Sequence, residues 1–139
     1  MNDSGSKSAV PMTFWLIAVL SLLWNAFGGY LYTMANMGDA SVIDSAPPEM
    51  QAYMAAMPIW AHSGWAIGIW GSVLGSLLLL GRSRHAVTAF LASFVGAVVS
   101  YAAQAQAGVL SAAAPAMILS VIALQWWYCR RCTNKGWLA

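Results

Sequence analysis

Few side chains in this sequence can do chemistry, and most of them sit in apolar surroundings. Asn25 stands in the middle of the uncharged run 14–34. An amide in hydrocarbon is costly without a partner, so Asn25 must face other helices. It reads either as a hydrogen bond between helices, with Ser93 or Ser100 as partner, or as a contact for a solute or ion. Gln104 and Gln106 lie near one end of the run 86–107, with Gln104 pointing inward. Trp24, Tyr30 and Trp70 would join Asn25 and Gln104 along any solute path, their ring faces stacking on a sugar. Gln125 is about 140° round a helix from Ser120 and is read as snorkelling or bonding a neighbour.

His62 adjoins a methionine-rich segment. Met34, Met37, Met50, Met54 and Met57 place five of the eight methionines within 24 residues. Thioether sulfur is a soft ligand, so Met50, Met54, Met57 and His62 are candidate Cu(I) ligands. The plainer reading is that methionine fills irregular contacts and lies well against lipid. Cys129 and Cys132 form a CxxC, which supplies half a tetrahedral zinc site, with His85 the only nearby complement. No βαβ context suggests thioredoxin-like chemistry. Arg130 and Arg131 beside the pair would favour thiolates, and so reactivity or lipidation. Two reduced thiols without a role is the plainer reading.

The absences narrow the field. The four long apolar runs hold no Asp, Glu, Lys or Arg. A proton-driven transporter ordinarily needs an intramembrane titratable group, and a channel needs rings of charge or a carbonyl filter. No GxSxG, HExxH, Walker A or GxGxxG motif occurs. The convergent polar residues are too few for a membrane active site, so the sequence reads as non-enzymatic and implies no cofactor.

The elements that must position these residues follow from composition. Of 139 residues, 60% are apolar and 7% charged, against about 25% charged in an ordinary soluble domain. Ten charges cannot cover a soluble surface, and eight tryptophans exclude disorder. A net charge of +2 is too small for a nucleic-acid partner. The uncharged runs 14–34, 59–80, 86–107 and 109–129 are each long enough for a helix to cross about 30 Å of hydrocarbon. All backbone groups must be satisfied within such a segment, which favours helices. The first run is too long, and too interrupted by Trp24 and Asn25, for a signal peptide, so it is expected to stay as a helix.

All six basic residues (Lys7, Arg82, Arg84, Arg130, Arg131, Lys135) fall on one side of these spans, and Asp39, Asp44 and Glu49 fall on the other. The positive-inside rule then places both termini, 1–13 and 130–139, in the cytoplasm. The loop 35–58 lies outside, with a short amphipathic helix that starts at Pro47-Pro48-Glu49, turns Met50, Tyr53, Met54 and Met57 to one face, and stops at Pro58.

Lipid does not drive apolar helices together, so close backbone approach between small residues must do so. Ala61, Gly64, Gly68, Gly71 and Gly75 recur at spacings of 3, 4, 3 and 4. Ala86, Ala89, Ser93, Gly96, Ser100, Ala103 and Ala107 keep the same alternation. The short link 81–85 makes these two helices antiparallel neighbours, seam against seam. Ala18, Ser21, Asn25 and Gly28 mark the inner face of the first span; Ala113, Ala116, Ser120 and Ala123 mark that of the fourth. The expected fold is all-α: four transmembrane helices in an up-down-up-down antiparallel bundle.

The residues Trp24-Asn25-Ala26-Phe27-Gly28-Gly29-Tyr30, the Pro48-Glu49 helix start, Pro58-x-Trp60 and the run Trp65 to Leu80 together resemble a family of small four-span bacterial inner-membrane proteins. The resemblance covers about residues 12–130 and is strongest in the second span. It implies a proteobacterial inner membrane and a four-helix bundle, and supplies no catalytic motif. Some members carry a sugar-transporter label. Three functional readings follow. The first is a non-enzymatic accessory or assembly subunit, or a homo-oligomer, acting by helix packing in the lipid bilayer. The second is a small-solute transporter working as an oligomer. The third is copper handling by the methionine-rich loop.

Overall fold

The computed structural model describes residues 9–139. Lys7 and the first eight residues of the expected tail lie outside them. Among the described residues there are six helices: α1 Met12–Asn36, α2 Ala40–Ile43, α3 Pro48–Ala55, α4 Ile59–Leu80, α5 His85–Gln106 and α6 Ala113–Asn134. Among the described residues there is no strand. Three helices, α1, α4 and α5, are long and apolar enough to cross a membrane, which is consistent with a multi-pass membrane protein.

The fourth long helix differs from its expected bounds. Gly108 takes a left-handed φ of 75° and closes α5, with Val109 N–H donating to the Gln104 carbonyl at 3.0 Å. Pro115 lacks an N–H and fits the first turn of the helix that follows. Helix α6 therefore starts at Ala113 and runs on through Arg130 and Arg131 to Asn134. Those polar last turns leave α6 less apolar than the other three. Helix α2 has no counterpart in the expected elements. Asp39 caps it, accepting from Val42 N–H at 3.2 Å and from the Ser41 hydroxyl. The Ser41 hydroxyl, then the Val42 amide, hold the exposed Asp39 carboxyl below its ordinary pKa.

The tightest packing joins α4 to α5. A Cβ on Gly64 would stand 2.8 Å from Val99 Cγ1 and 3.0 Å from the Gly96 carbonyl oxygen. Gly68 lies against Ala97, Gly71 against Ser93, and Gly75 against the Phe90 ring. The order of these pairs makes the two helices antiparallel. The Ser93 hydroxyl adds a 2.6 Å bond to the Gly68 carbonyl. Helix α1 packs on α4, and α6 on α5, so the long helices follow one another in the series α1, α4, α5, α6.

The series closes on itself at the basic end. Phe14 of α1 stacks on Tyr128 of α6 and meets Trp137 edge-on, with ring centroids 6.5 and 6.1 Å apart. Phe14, Ala18, Leu79, Ala86, Phe90, Cys129, Cys132 and Leu138 form one buried cluster there. Residues 136–139 fold back over it. Ala139 N–H donates to the Arg82 carbonyl, and Arg84 N–H donates to the Ala139 carbonyl, both at 3.0 Å. Arg82 holds a positive φ of 56°, and its Nε donates to the Trp137 carbonyl at 2.8 Å.

The inner face of α6 corrects the expected stripe. Ala113, Ala116, Ser120 and Ala123 are exposed, whereas Ile122, Gln125, Cys129 and Cys132 are buried. Small residues mark an inner face only where backbones touch. Helix α6 meets its neighbours through bulkier groups and stands off from α1 over much of its length.

Candidate functional site

The standing-off of α6 leaves a cavity of about 310 Å³ in the half of the bundle away from the basic end. All four long helices border it. Helix α1 supplies Trp24, Asn25, Phe27, Gly28 and Leu31, and α4 supplies Trp65, Gly68, Ile69 and Ser72. Helix α5 supplies Ala97, Ser100, Tyr101 and Gln104, and α6 supplies Met117, Ile118 and Ile122. The walls are mostly apolar, and a handful of polar groups converge among them. That is the usual make-up of a small-molecule site.

Asn25 sits at the deep end and is 5% exposed. Its Nδ2 donates to Ser76 Oγ at 2.7 Å and to the Ser72 carbonyl at 3.2 Å. The expected partners Ser93 and Ser100 are not the ones used. Ser93 is committed to Gly68, and Ser100 borders the cavity. Ser76 Oγ donates in turn to the Ser72 carbonyl at 2.9 Å, fixing its lone pairs for Asn25. Asn25 Oδ1 accepts no hydrogen bond from the described residues, nor do the side chains of Ser100, Tyr101 and Gln104 bond to them. Ser21, Asn25, Ser72 and Ser76 are buried polar residues, and Asn25 and Ser72 border the cavity.

The proposed solute contacts divide into two groups. Trp24, Asn25 and Gln104 come together at the cavity. Tyr30 is exposed and stacks on Phe27, with centroids 6.4 Å apart. Trp70 lies over Gly29 on another side of α1 and meets Tyr32 edge-on at 5.8 Å. Sequence reasoning did not point to Trp65, Tyr101, Met117 or Ile122. They are ordinary apolar or aromatic helix positions until the helices are placed.

Beside the cavity, Tyr32, His62, Trp65 and Trp70 form an aromatic cluster. The Tyr32 hydroxyl and His62 Nε2 are hydrogen-bonded at 2.9 Å, so one imidazole nitrogen is engaged. Met50, Met54 and Met57 are half-buried on and just after α3. The other face of α3 turns Glu49, Ala52 and Tyr53 toward the α5–α6 turn, across a groove that Gln106 and Val109 also line. Tyr53 carries a buried hydroxyl with no partner among the described residues, and burial pushes its pKa up. Among the described residues no group of three His, Cys, Asp or Glu could hold a metal ion.

Both thiols of the CxxC are fully buried. The neighbouring cations turn elsewhere: Arg130 lies over the Trp126 ring at 5.1 Å, Arg131 over Trp127 at 5.5 Å, and Lys135 over Trp137 at 4.7 Å. Each is a cation–π contact of the kind found where indoles meet charged groups. Both thiols belong to the buried core cluster.

The chain matches no protein-family model, no curated protein and no solved structure.

Proposed function

We propose that this chain is a four-span membrane protein whose helices enclose a binding site for a small, mostly apolar molecule. The cavity bordered by Trp24, Asn25, Ser100, Tyr101 and Gln104 carries this reading. Its volume lies at the lower end of the range for small-molecule pockets, about 300–1,000 Å³. A sugar would need hydrogen-bond partners around its whole rim, and Phe27, Leu31, Ile69, Ile118 and Ile122 supply none. The chemistry therefore favours an apolar body with one polar end over the sugar expected of a transporter.

In this reading α6 makes the fourth crossing, with its polar last turns in the cytoplasmic headgroups. The basic residues place both termini in the cytoplasm by the positive-inside rule. The resemblance in residues 12–130 supports a bacterial inner membrane. The absence of Asp, Glu, Lys and Arg along the apolar runs argues against proton-driven transport.

Association in the bilayer is a second reading, supported by one observation. The glycine seams of α4 and α5 are occupied within the chain, but Ala113, Ala116, Ser120 and Ala123 of α6 face outward. A small-residue face of this kind suits a homo-oligomer contact or a subunit contact in a larger complex.

Native mass spectrometry of the protein extracted in mild detergent tests both readings. A retained small molecule, lost in Ile122→Trp with the helical content and melting temperature kept, is the expected result. Wild-type protein that is as bare as the filled variant would overturn the binding reading. A dimer that dissociates in Ala116→Leu would support the second.

A further inference from the structure

The cavity opens sideways, and this bears on what enters it. Helices α1 and α6 meet through Phe14, Tyr128 and Trp137 at the basic end. At the level of the cavity they face each other across a gap, and extensive packing runs only from α1 to α4, α4 to α5 and α5 to α6. The rim of this gap is Trp24, Phe27 and Met117, which are 44%, 60% and 52% exposed. All three are apolar and lie in the body of their helices. In a bilayer such a gap faces acyl chains, since charged or polar rim residues would be needed to hold water there. The interior then offers two things to whatever arrives. Indole and aliphatic walls accept a hydrocarbon body. At the deep end, the bonds from Asn25 Nδ2 to Ser72 and Ser76 fix the amide, and Oδ1 receives no hydrogen bond from the described residues. That oxygen opens on a mostly apolar cavity whose walls give it no donor, so a molecule that brings an O–H gains a hydrogen bond at that point.

We propose that the cavity takes a hydroxyl-bearing amphipathic lipid that enters laterally from the bilayer between α1 and α6, its hydroxyl donating to Asn25 Oδ1. This inference rests on the binding reading above and adds to it the route and the polar group. The tight α4–α5 seam leaves no room for entry between those two helices.

The test uses the full chain in phospholipid vesicles with three photoactivatable probes: a long-chain alcohol carrying a mid-chain diazirine, its methyl ether, and a diazirine-bearing glucoside soluble in water. Labelled residues are mapped by mass spectrometry. The alcohol should label cavity residues of α1 and α6, with Phe27 and Met117 foremost. The ether, which cannot donate, should label roughly five-fold less, as expected for one lost hydrogen bond. Met117→Trp, a change at an exposed rim position that spares the core, should cut labelling by the alcohol. Cavity labelling by the glucoside and not by the alcohol would overturn lateral entry while leaving the binding reading in place. Equal labelling by alcohol and ether would overturn the role of Asn25 Oδ1. Labelling of the cavity by no probe would overturn the inference and the binding reading together.

Discussion

Gly64 of α4 and Gly96 of α5 touch backbone to backbone: the Gly64 carbonyl oxygen lies 2.8 Å from the place a Cβ on Gly96 would take. The Gly68 nitrogen is closer still, at 2.7 Å. No side chain can swing aside to make room, because both neighbours are main chain. Gly96→Ala must therefore part the two helices. We expect a loss of about 2–3 kcal/mol, at the upper end for overpacking a tight core. Leu124→Ala, at an outward position, should change little. Unfolding in a mixed-detergent titration compares the two.

Asn25 ties α1 to α4 through Ser76 and Ser72. Interhelical hydrogen bonds in lipid contribute modestly, about 0.6–2 kcal/mol. Asn25→Leu keeps the bulk and removes both bonds, so it should lose about 1 kcal/mol in the same titration. It should also leave Ser76 bonded only to the Ser72 carbonyl. A loss of several kcal/mol would mean that the amide does more than join two helices.

The thiols of Cys129 and Cys132 are sealed beneath Leu138 and the returning residues 136–139. A membrane-permeant maleimide should reach them only when that end opens. Leu138→Ala, which removes buried methyl groups from the cluster, should speed labelling roughly tenfold or more. Fast labelling of the unaltered chain in vesicles would contradict the buried placement of the pair.

Asp39 gives a pH dependence whose sign is fixed. Its folded-state pKa lies below the ordinary carboxylate value because the Ser41 hydroxyl and the Val42 amide bind the ionised form. The cap thus stabilises α2 fully above the ordinary aspartate pKa and is lost as pH falls through the lowered one. The Val42 amide proton should report this, shifting in an NMR titration with a midpoint below the ordinary value. Asp39→Ala should abolish the transition.

Much of the framework was legible because small residues repeat. The 3, 4, 3, 4 spacing of Ala61, Gly64, Gly68, Gly71 and Gly75 can serve only one face of a helix, and that face is the one packed on α5. Asn25 was bound to turn inward, since hydrocarbon offers an amide no partner. Its choice of Ser76 over Ser93 was not legible, because it depends on α1 packing against α4 and not α5. The same rule of small residues misled for α6. Ala116 and Ser120 face outward because that helix closes the bundle through Ile122 and the cysteines. The cavity itself is a product of divergence between helices, and no local pattern encodes divergence. Gln125 shows the point at one residue: it is buried with an unpartnered Oε1, at a position that helical spacing put about 140° from the expected inner stripe.

The fastening of α1 to α6 at one end makes the pair behave as levers. Phe27 lies about 20 Å along α1 from the Phe14–Tyr128 stack, at about 1.5 Å per residue. A tilt of about 5° at that fulcrum, with the helix rigid over its length, moves the far rim by nearly 2 Å. Small readjustments among three rings at the basic end would thereby be amplified at the rim of the cavity. A change in the packing of Phe14 or Trp137 would thus be felt at a rim that neither ring touches.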